Sequence, residues 1–347
     1  MPINAKVSEA RHGSHGKVTD SPSRPAIDPS VQKLHPGMQT SPRYQLIEKL
    51  GEGGIGQVWS VTDRKEIYPV LKIMIADDTS RPLEKLRGIM VGEIVSDMLV
   101  DGISVEEISR FLREEVFEEV SQTGALLCFP QKIRYTTDLK RRVDSIHKLE
   151  VPKRLKIIAS IATQIIRGLD RIHRTWILEN DLARNGLVHL DIKPANIFLR
   201  EDSHGDVIAD IKDFSLATSH QCAVDLIREK KLAGVPKFWP PEVSSTGDVL
   251  RDPRRIDVFQ LGLVLYILLT NDQTAGAKTF DRKRLDFESL KNSFGCEDQI
   301  IFSLAELTRV ALRTNAPEYR HESGTAMSES LDRALMLVEI DQAWELP

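Results

Sequence analysis

Cysteine is scarce in this chain of 347 residues: three stand apart, at Cys128, Cys222 and Cys296. An odd, unpatterned set excludes a disulfide framework and fits a reducing, cytoplasmic setting. No close set of histidines and cysteines offers a zinc site. Long apolar runs are missing too. The longest, Leu261 to Leu269, is too short for a membrane span and follows a charged stretch, so it reads as a buried helix. The N-terminus has no apolar signal-peptide core. Charge of one sign is lacking: a net −4 gives no global reason to expect nucleic acid or an anionic membrane as a partner. Internal repeats are absent. What is there is a 41% hydrophobic content, enough for a real core, and a length that suits one large or two coupled domains.

Residues 1–42 are rich in Ser, Pro, Gly, His and charge and carry no apolar period, so they are expected to be a disordered tail. A flexible leader is the plain reading. An unfolded export signal and a partner-binding arm are the alternatives, and composition does not separate them.

From Tyr44 the pattern turns to strands. Tyr44–Leu50 and Gln57–Thr62 flank Gly51-Glu52-Gly53-Gly54-Ile55-Gly56, and Val70–Ile75 is a third strand with Lys72 at its centre. Thr79, Ser80 and Pro82 announce a helix to about Val100. Ser104 and Glu107 have capping-box spacing for a second helix, with Ile108, Phe111 and Leu112 as its apolar stripe. Val116–Val120 and Ala125–Phe129 read as a β-hairpin. Residues 43–132 are thus expected to be mostly sheet. Over 133–347 helices dominate: Arg154–His173 has a long apolar period, Val258–Leu269 is apolar all round, and helical segments near Ile300–Leu312 and Met327–Ile340 close the chain.

The chemistry-bearing residues fall in two stretches. Gly51-x-Gly53-x-x-Gly56-x-Val58 between two strands is either a tight hairpin turn or a loop whose backbone N–H groups approach phosphate oxygens. Strand continues after Gly56, which argues against a dinucleotide-binding fold. Lys72 is either an exposed edge-strand lysine or a buried cation that reaches phosphates while a helix carboxylate holds it. Glu93 is the expected carboxylate, because Leu86 and Met90 share its face and the hairpin must follow its helix; Glu114 is the runner-up, and a solvated surface glutamate is the bland reading.

The second stretch is His189-Leu190-Asp191-Ile192-Lys193-Pro194-Ala195-Asn196, with Asp213-Phe214-Ser215 beyond it. It supplies a base, a cation and two metal-ligating groups at fixed offsets, as phosphoryl transfer from a metal-bound nucleotide requires. Asp191 would accept or orient the proton of the attacking hydroxyl. Lys193 would neutralise the transferring phosphoryl group. Asn196 and Asp213 would hold divalent metal, with oxygen ligands favouring Mg2+ over zinc.

These motifs resemble the protein kinases of the eukaryotic Ser/Thr/Tyr type over about Tyr44 to Glu339. Gly234 to Glu242 is similar to the end of that family's activation segment. Asp257 resembles the helix aspartate that braces the catalytic loop, and Arg320 the arginine that pairs with Glu242. The resemblance implies an α+β, bilobal fold with a β-rich N-lobe, an α-helical C-lobe, ATP in the cleft and a hinge near Phe129–Lys132. It implies an active enzyme that uses ATP and Mg2+ on protein substrates, on Ser/Thr rather than Tyr. A scaffold without activity and a small-molecule kinase are the competing readings. The compact kinases that some bacteria deliver into host cells are similar in layout; that likeness implies secretion and host-cell proteins as partners.

Four features depart from the family pattern. Leu190 replaces the arginine that normally pairs with a phosphorylated activation loop, so activity is expected not to depend on that switch and Leu190→Arg to be nearly silent without phosphate. Thr218 and Ser219 are the candidate sites of such a modification. Ser215 replaces a glycine and should hinder flipping of Asp213 and Phe214. Val235 takes the place of a threonine that contacts the catalytic aspartate in Ser/Thr kinases. Finally, Gly102–Glu115 and Arg174–Gly186 look like insertions, the first placed to lock or gate the Glu93 helix; both otherwise read as tolerated surface additions.

Overall fold

Alternation from Tyr44 onward buries one side of a strand: Tyr44 and Leu46 are covered while Gln45 and Ile47 face out. In the computed structural model, which describes residues 34–52, 56–76, 83–121, 124–132, 135–179, 182–245, 252–295, 298–314 and 320–344, the chain divides into two units at Arg134 and Tyr135.

The first unit is built on an antiparallel five-stranded sheet in the order β1-β2-β3-β5-β4. Its strands are β1 (Tyr44–Glu52), β2 (Gln57–Asp63) and β3 (Val70–Ala76), followed by helices α1 (Leu83–Val100) and α2 (Val105–Glu114), and then β4 (Phe117–Ser121) and β5 (Gly124–Gln131). β3 lies between β2 and β5 and is buried along its whole length. Lys72 is therefore not an edge lysine. The helix-start signals at Thr79, Ser80 and Pro82 lie outside the described residues. α1 buries Leu86, Met90, Glu93 and Ile94 against the sheet. It ends at Gly102, whose φ of 77° is the left-handed turn that releases a helix. α2 has the expected capping box: the Ser104 hydroxyl accepts from the Glu107 N–H, and the Glu107 carboxylate accepts from the Ser104 N–H.

The expected tail does not extend to residue 42. Leu34 and Met38 pack against the sheet's core, and the Gly37 N–H and Met38 carbonyl bond to the Leu46 backbone. Two apolar side chains in a polar stretch were too sparse to form a period, yet they suffice to seat this segment on β1.

The second unit is mostly helical. It runs β6 (Thr137–Asp138), α3 (Leu139–His147), α4 (Val151–Arg174), β7 (Trp176–Glu179), β8 (Leu182–Asn185), β9 (Leu187–Val188), β10 (Ile197–Glu201), β11 (Val207–Ile211), β12 (Thr218–Ser219), α5 (His220–Arg228), α6 (Pro241–Ser245), α7 (Arg254–Thr270), α8 (Phe287–Phe294), α9 (Gln299–Ala311) and α10 (Gly324–Trp344). α7 is buried from Ile256 to Thr270, as its all-round apolar sequence requires. α4 packs Ile158, Ile161, Ala162, Ile165 and Leu169 into the same core. The stretch read as a second insertion forms the β7–β8 hairpin. A sheet-based first unit and a helical second unit bear out the expected α+β division. Among the described residues, no helix is long and apolar enough to cross a membrane.

Candidate active site

The first unit holds one half of the candidate residues. On β3, the Lys72 ammonium donates to Glu93 Oε1 of α1, and its Nζ lies 5.7 Å from the Phe129 ring centroid. Both side chains are buried, Lys72 at 9% and Glu93 at 6% exposure, which decides the assignment: a solvated glutamate would not satisfy that buried cation. Glu114, the runner-up, is exposed. Nothing stands within 4 Å of a Cβ built on Gly51, so the backbone there is open to approach. Gly56 is glycine for a different reason: a Cβ would lie 2.5 Å from the Ile73 carbonyl oxygen of β3. Val58 pairs with Lys72 across β2 and β3. Gly53 lies outside the described residues.

The other half is assembled in the second unit by one hairpin and one helix. β10 starts after Asn196 and β11 ends before Lys212, with Ile197 opposite Ile211. The Lys212 N–H donates to the Asn196 carbonyl at 3.0 Å. Register alone thus places Asn196 beside the backbone that leads into Asp213. Asn196 Nδ2 donates to the Asp191 carbonyl at 2.8 Å and to Asp191 Oδ2 at 3.1 Å, which leaves Asn196 Oδ1 as an acceptor. Lys193 Nζ donates to the same Asp191 Oδ2 at 2.5 Å. A Cβ built on Gly234, whose φ is 116°, would sit 3.4 Å from Asp191 Oδ1. That glycine lets the end of the activation segment pass close to the carboxylate.

The loop carrying Asp191 is held from below by the first turns of α7. Asp257 is fully buried and accepts from the His189 N–H at 2.7 Å and the Leu190 N–H at 2.8 Å. Gln260, one turn on, accepts from the Ile192 N–H and donates to the Leu190 carbonyl. His173, at the end of α4, takes the Gly324 N–H on Nδ1, so its Nε2–H donates to Asp257 Oδ2 at 3.0 Å. These bonds hold Leu190 at a φ of 65°, a conformation that costs free energy unless the surroundings impose it; Asp213 also has a positive φ, 71°. Asp257 was legible as a brace. Gln260 and His173 were not, although a polar residue one helical turn from Asp257 is the signal that would have found the first.

Leu190 is 3% exposed and packs with Val188, Ala223, Ile227 and Ile256. The residue that breaks the charged pattern therefore anchors α5 of the activation segment through apolar contact. Ser219 does not suit its expected role as a modification site. It is buried, and its Oγ caps α5 by accepting from the Cys222 N–H. Thr218 is half-buried and pairs with Val188. Ser215 sits in a short 3-10 turn, Phe214–Leu216, where glycine has no advantage. Val235 is exposed.

Further along, Arg320 grips Glu242 with two nitrogens, Nη1 on Oε1 and Nη2 on Oε2, and lies over the Phe259 ring at 4.8 Å. The pair is buried and matches the sequence expectation. Next to it, burial pushes the His321 pKa down to about 4, helped by the guanidinium groups of Arg313 and Arg333. His147 is shifted the same way, again first by burial. The folded protein keeps His321 neutral at pH values where the unfolded chain protonates its histidine. The stability this contributes is full above the usual 6.5 and is lost as pH falls toward 4. Urea midpoints should drop between about pH 7 and about pH 4.5, and the drop should be shallower in His321→Gln.

Comparison with known proteins places these residues in context. A model of the protein kinase domain matches residues 44–314. The interferon-induced, double-stranded RNA-activated protein kinase of Rattus norvegicus is 26% identical over 270 residues, covering 74% of this chain and 45% of that protein. Serine/threonine-protein kinase A of Synechocystis sp. is 25% identical, covering 66% of this chain and 41% of its own length. Serine/threonine-protein kinase D of the same organism is 24% identical, covering 85% and 52%. The chain spans about half the length of these relatives or less.

Proposed function

The chain belongs to the protein kinase family, and from that premise we propose that it transfers the γ-phosphate of ATP to Ser or Thr hydroxyls of protein substrates. The observation that carries this reading is the Asp191 cluster, in which one carboxylate is bonded to both Lys193 and Asn196 on a loop anchored to α7. Asp191 would orient the acceptor hydroxyl and take up its proton; Lys193 would offset charge on the phosphoryl group in transit. Lys72, fixed by Glu93, would hold the nucleotide's phosphates, with the Gly51, Gly53 and Gly56 backbone and Val58 alongside.

The donor set fits a hard divalent cation. Asn196 Oδ1 and the Asp213 carboxylate are oxygen ligands, and they would hold Mg2+. Bound there, Mg2+ would supply charge neutralisation at the phosphates. Serine or threonine specificity is supported by Lys193 standing two positions after Asp191 and by the names of the bacterial relatives.

Independence from activation-loop phosphorylation is supported by Leu190. Its apolar contacts with Ala223 and Ile227 hold α5 without a phosphate. A soluble, cytoplasmic enzyme is the setting that the scattered cysteines favour. Secretion into a host cell, with host proteins as substrates, rests on the likeness in layout to compact kinases that bacteria deliver into host cells and on the composition of the tail.

Purified protein with Mg2+ and γ-labelled ATP tests the proposal. Wild type is expected to label protein on Ser or Thr, and Asp191→Ala to lose about a hundredfold or more of that rate. Partner binding with no labelling by wild type would favour a scaffold. Label on a sugar or an antibiotic and on no protein would favour a small-molecule kinase. Phosphoproteomics of cells that express wild type or Asp191→Ala would then nominate the substrates.

A further inference from the structure

The helix inserted after α1 is bolted to the far side of the sheet by a single guanidinium. Arg43, just before β1, donates through Nε and Nη2 to Asp63 Oδ1 and Oδ2 at 2.7 and 2.9 Å, and through Nη1 to Glu115 Oε2 at 2.5 Å. Asp63 closes β2, and Glu115 is the C-cap of α2. The Arg43 guanidinium also lies 4.8 Å from the Tyr44 ring centroid and 5.2 Å from that of Tyr68. Asp63 is fixed in turn by the backbone N–H groups of Lys65, Ile67 and Tyr68. All three guanidinium nitrogens and both Asp63 oxygens thus have directed partners, and the side chains are largely buried, at 16% exposure for Arg43, 2% for Asp63 and 18% for Glu115.

Two further contacts tie the joint to α1. Phe111 of α2 packs against both core clusters of the first unit, the one lined by Tyr44 and Tyr68 and the one that contains Met90 and Ile94 of α1. Its ring meets Tyr68 edge-on at 6.2 Å. The connection from α1 to α2 is only Asp101–Ser104, closed by N–H bonds from Asp101, Gly102 and Ile103 back onto α1 carbonyls and by the capping box. A shift of α2 must therefore carry the C-terminal end of α1 with it. Nearer its start, α1 is pinned by Arg87, which donates to Glu118 of β4.

We propose that α2 and the Arg43–Asp63–Glu115 joint are a built-in brace that holds α1 where Glu93 meets Lys72, which makes Arg43 and Glu115 positioning residues for phosphoryl transfer. The inference rests on the kinase reading above for its catalytic consequence, though not for its structural one. A small-unit helix that carries a catalytic glutamate has the freedom to swing unless something stops it. Here the stop lies within the same unit, and neither a partner protein nor a phosphate is needed to supply it.

Hydrogen exchange and steady-state kinetics on the full chain test this together. The variants are Arg43→Gln, Arg43→Lys and Glu115→Gln, with the exposed neighbour Glu114→Gln as the control. In Arg43→Gln and Glu115→Gln, amides of residues 86–100 are expected to exchange about tenfold faster, while those of β3 stay protected. KM for ATP should rise and kcat fall together. Arg43→Lys should recover part of both, since an ammonium can serve one carboxylate but not the two-pronged fork. Unchanged exchange in α1 of both variants would overturn the brace, as would wild-type kinetics alongside faster exchange. Should Arg43→Gln fail to fold, Glu115→Gln, which leaves the Arg43–Asp63 fork in place, decides alone. Faster α1 exchange in a protein whose wild type transfers no phosphate would uphold the brace and remove the kinase reading.

Discussion

Lys72→Met is expected to slow phosphoryl transfer by about a hundredfold or more and to destabilise the sheet unit by about 3 kcal/mol. The two effects have different causes. The rate loss follows from removing a cation aimed at phosphates, where charge neutralisation is most of what the protein contributes. The stability loss follows from burial: β3 is covered along its length, and Glu93 would keep its desolvated carboxylate while losing the ammonium that Oε1 accepts from. A second substitution separates them. Adding Glu93→Leu to Lys72→Met should restore most of the stability, because apolar residues are often as stable as a buried ion pair, and should restore none of the rate. Urea denaturation and single-turnover transfer read the two quantities independently. A Lys72→Met protein within about tenfold of the wild-type rate would refute the assignment of Lys72.

Leu190→Arg carries the other large expectation, and it reverses what the sequence suggests. Judged by motif alone, the change restores a family residue and should be nearly silent. In the folded chain it puts a guanidinium among Val188, Ala223, Ile227 and Ile256, on a residue held at positive φ. These neighbours are apolar and offer it no counter-charge. A cost of about 3 kcal/mol or more is expected, with loss of activity as α5 comes off its anchor. Leu190→Met keeps the volume and should cost less than about 1.5 kcal/mol. A Leu190→Arg variant with an unchanged denaturation midpoint would show that the apolar cluster does not hold the segment.

Local patterns and short-range chemistry were legible. Strand alternation from Tyr44, the period of α4, the all-apolar α7 and the Ser104–Glu107 capping box each follow from residues a turn or a strand apart. Lys72 with Glu93 was legible for another reason: an unmatched charge on a buried element demands a partner of opposite sign, whereas Glu242 with Arg320 came from the family resemblance alone. The β10–β11 hairpin, which sets Asn196 beside the backbone leading into Asp213, was not read from the sequence, where helices were expected to dominate this half.

What escaped was decided by contacts between apolar or neutral residues distant in sequence. Nothing in the identity of Leu190 names Ala223 and Ile227 as its neighbours. Ser219 looked like an accessible hydroxyl because serines in loops usually are, but it caps α5, a helix whose Ala223 and Ile227 are buried. Leu34 and Met38 were lost in a polar stretch because two residues make no period. Arg43 carried no signal at all: an arginine before a strand is ordinary until Asp63 and Glu115 are brought to it by the fold.

The proposed function requires that Asp191 and Asp213, both of the second unit, serve a single reaction. A double-substitution cycle on kcat measures it, using wild type, Asp191→Ala, Asp213→Asn and the pair with Mg2+, ATP and a Ser/Thr protein substrate. Residues that act as one unit are grossly non-additive. The account predicts that each single change removes nearly all transfer and that the pair is little worse than either. Transfer that survives either change, or two losses that simply multiply, would contradict it.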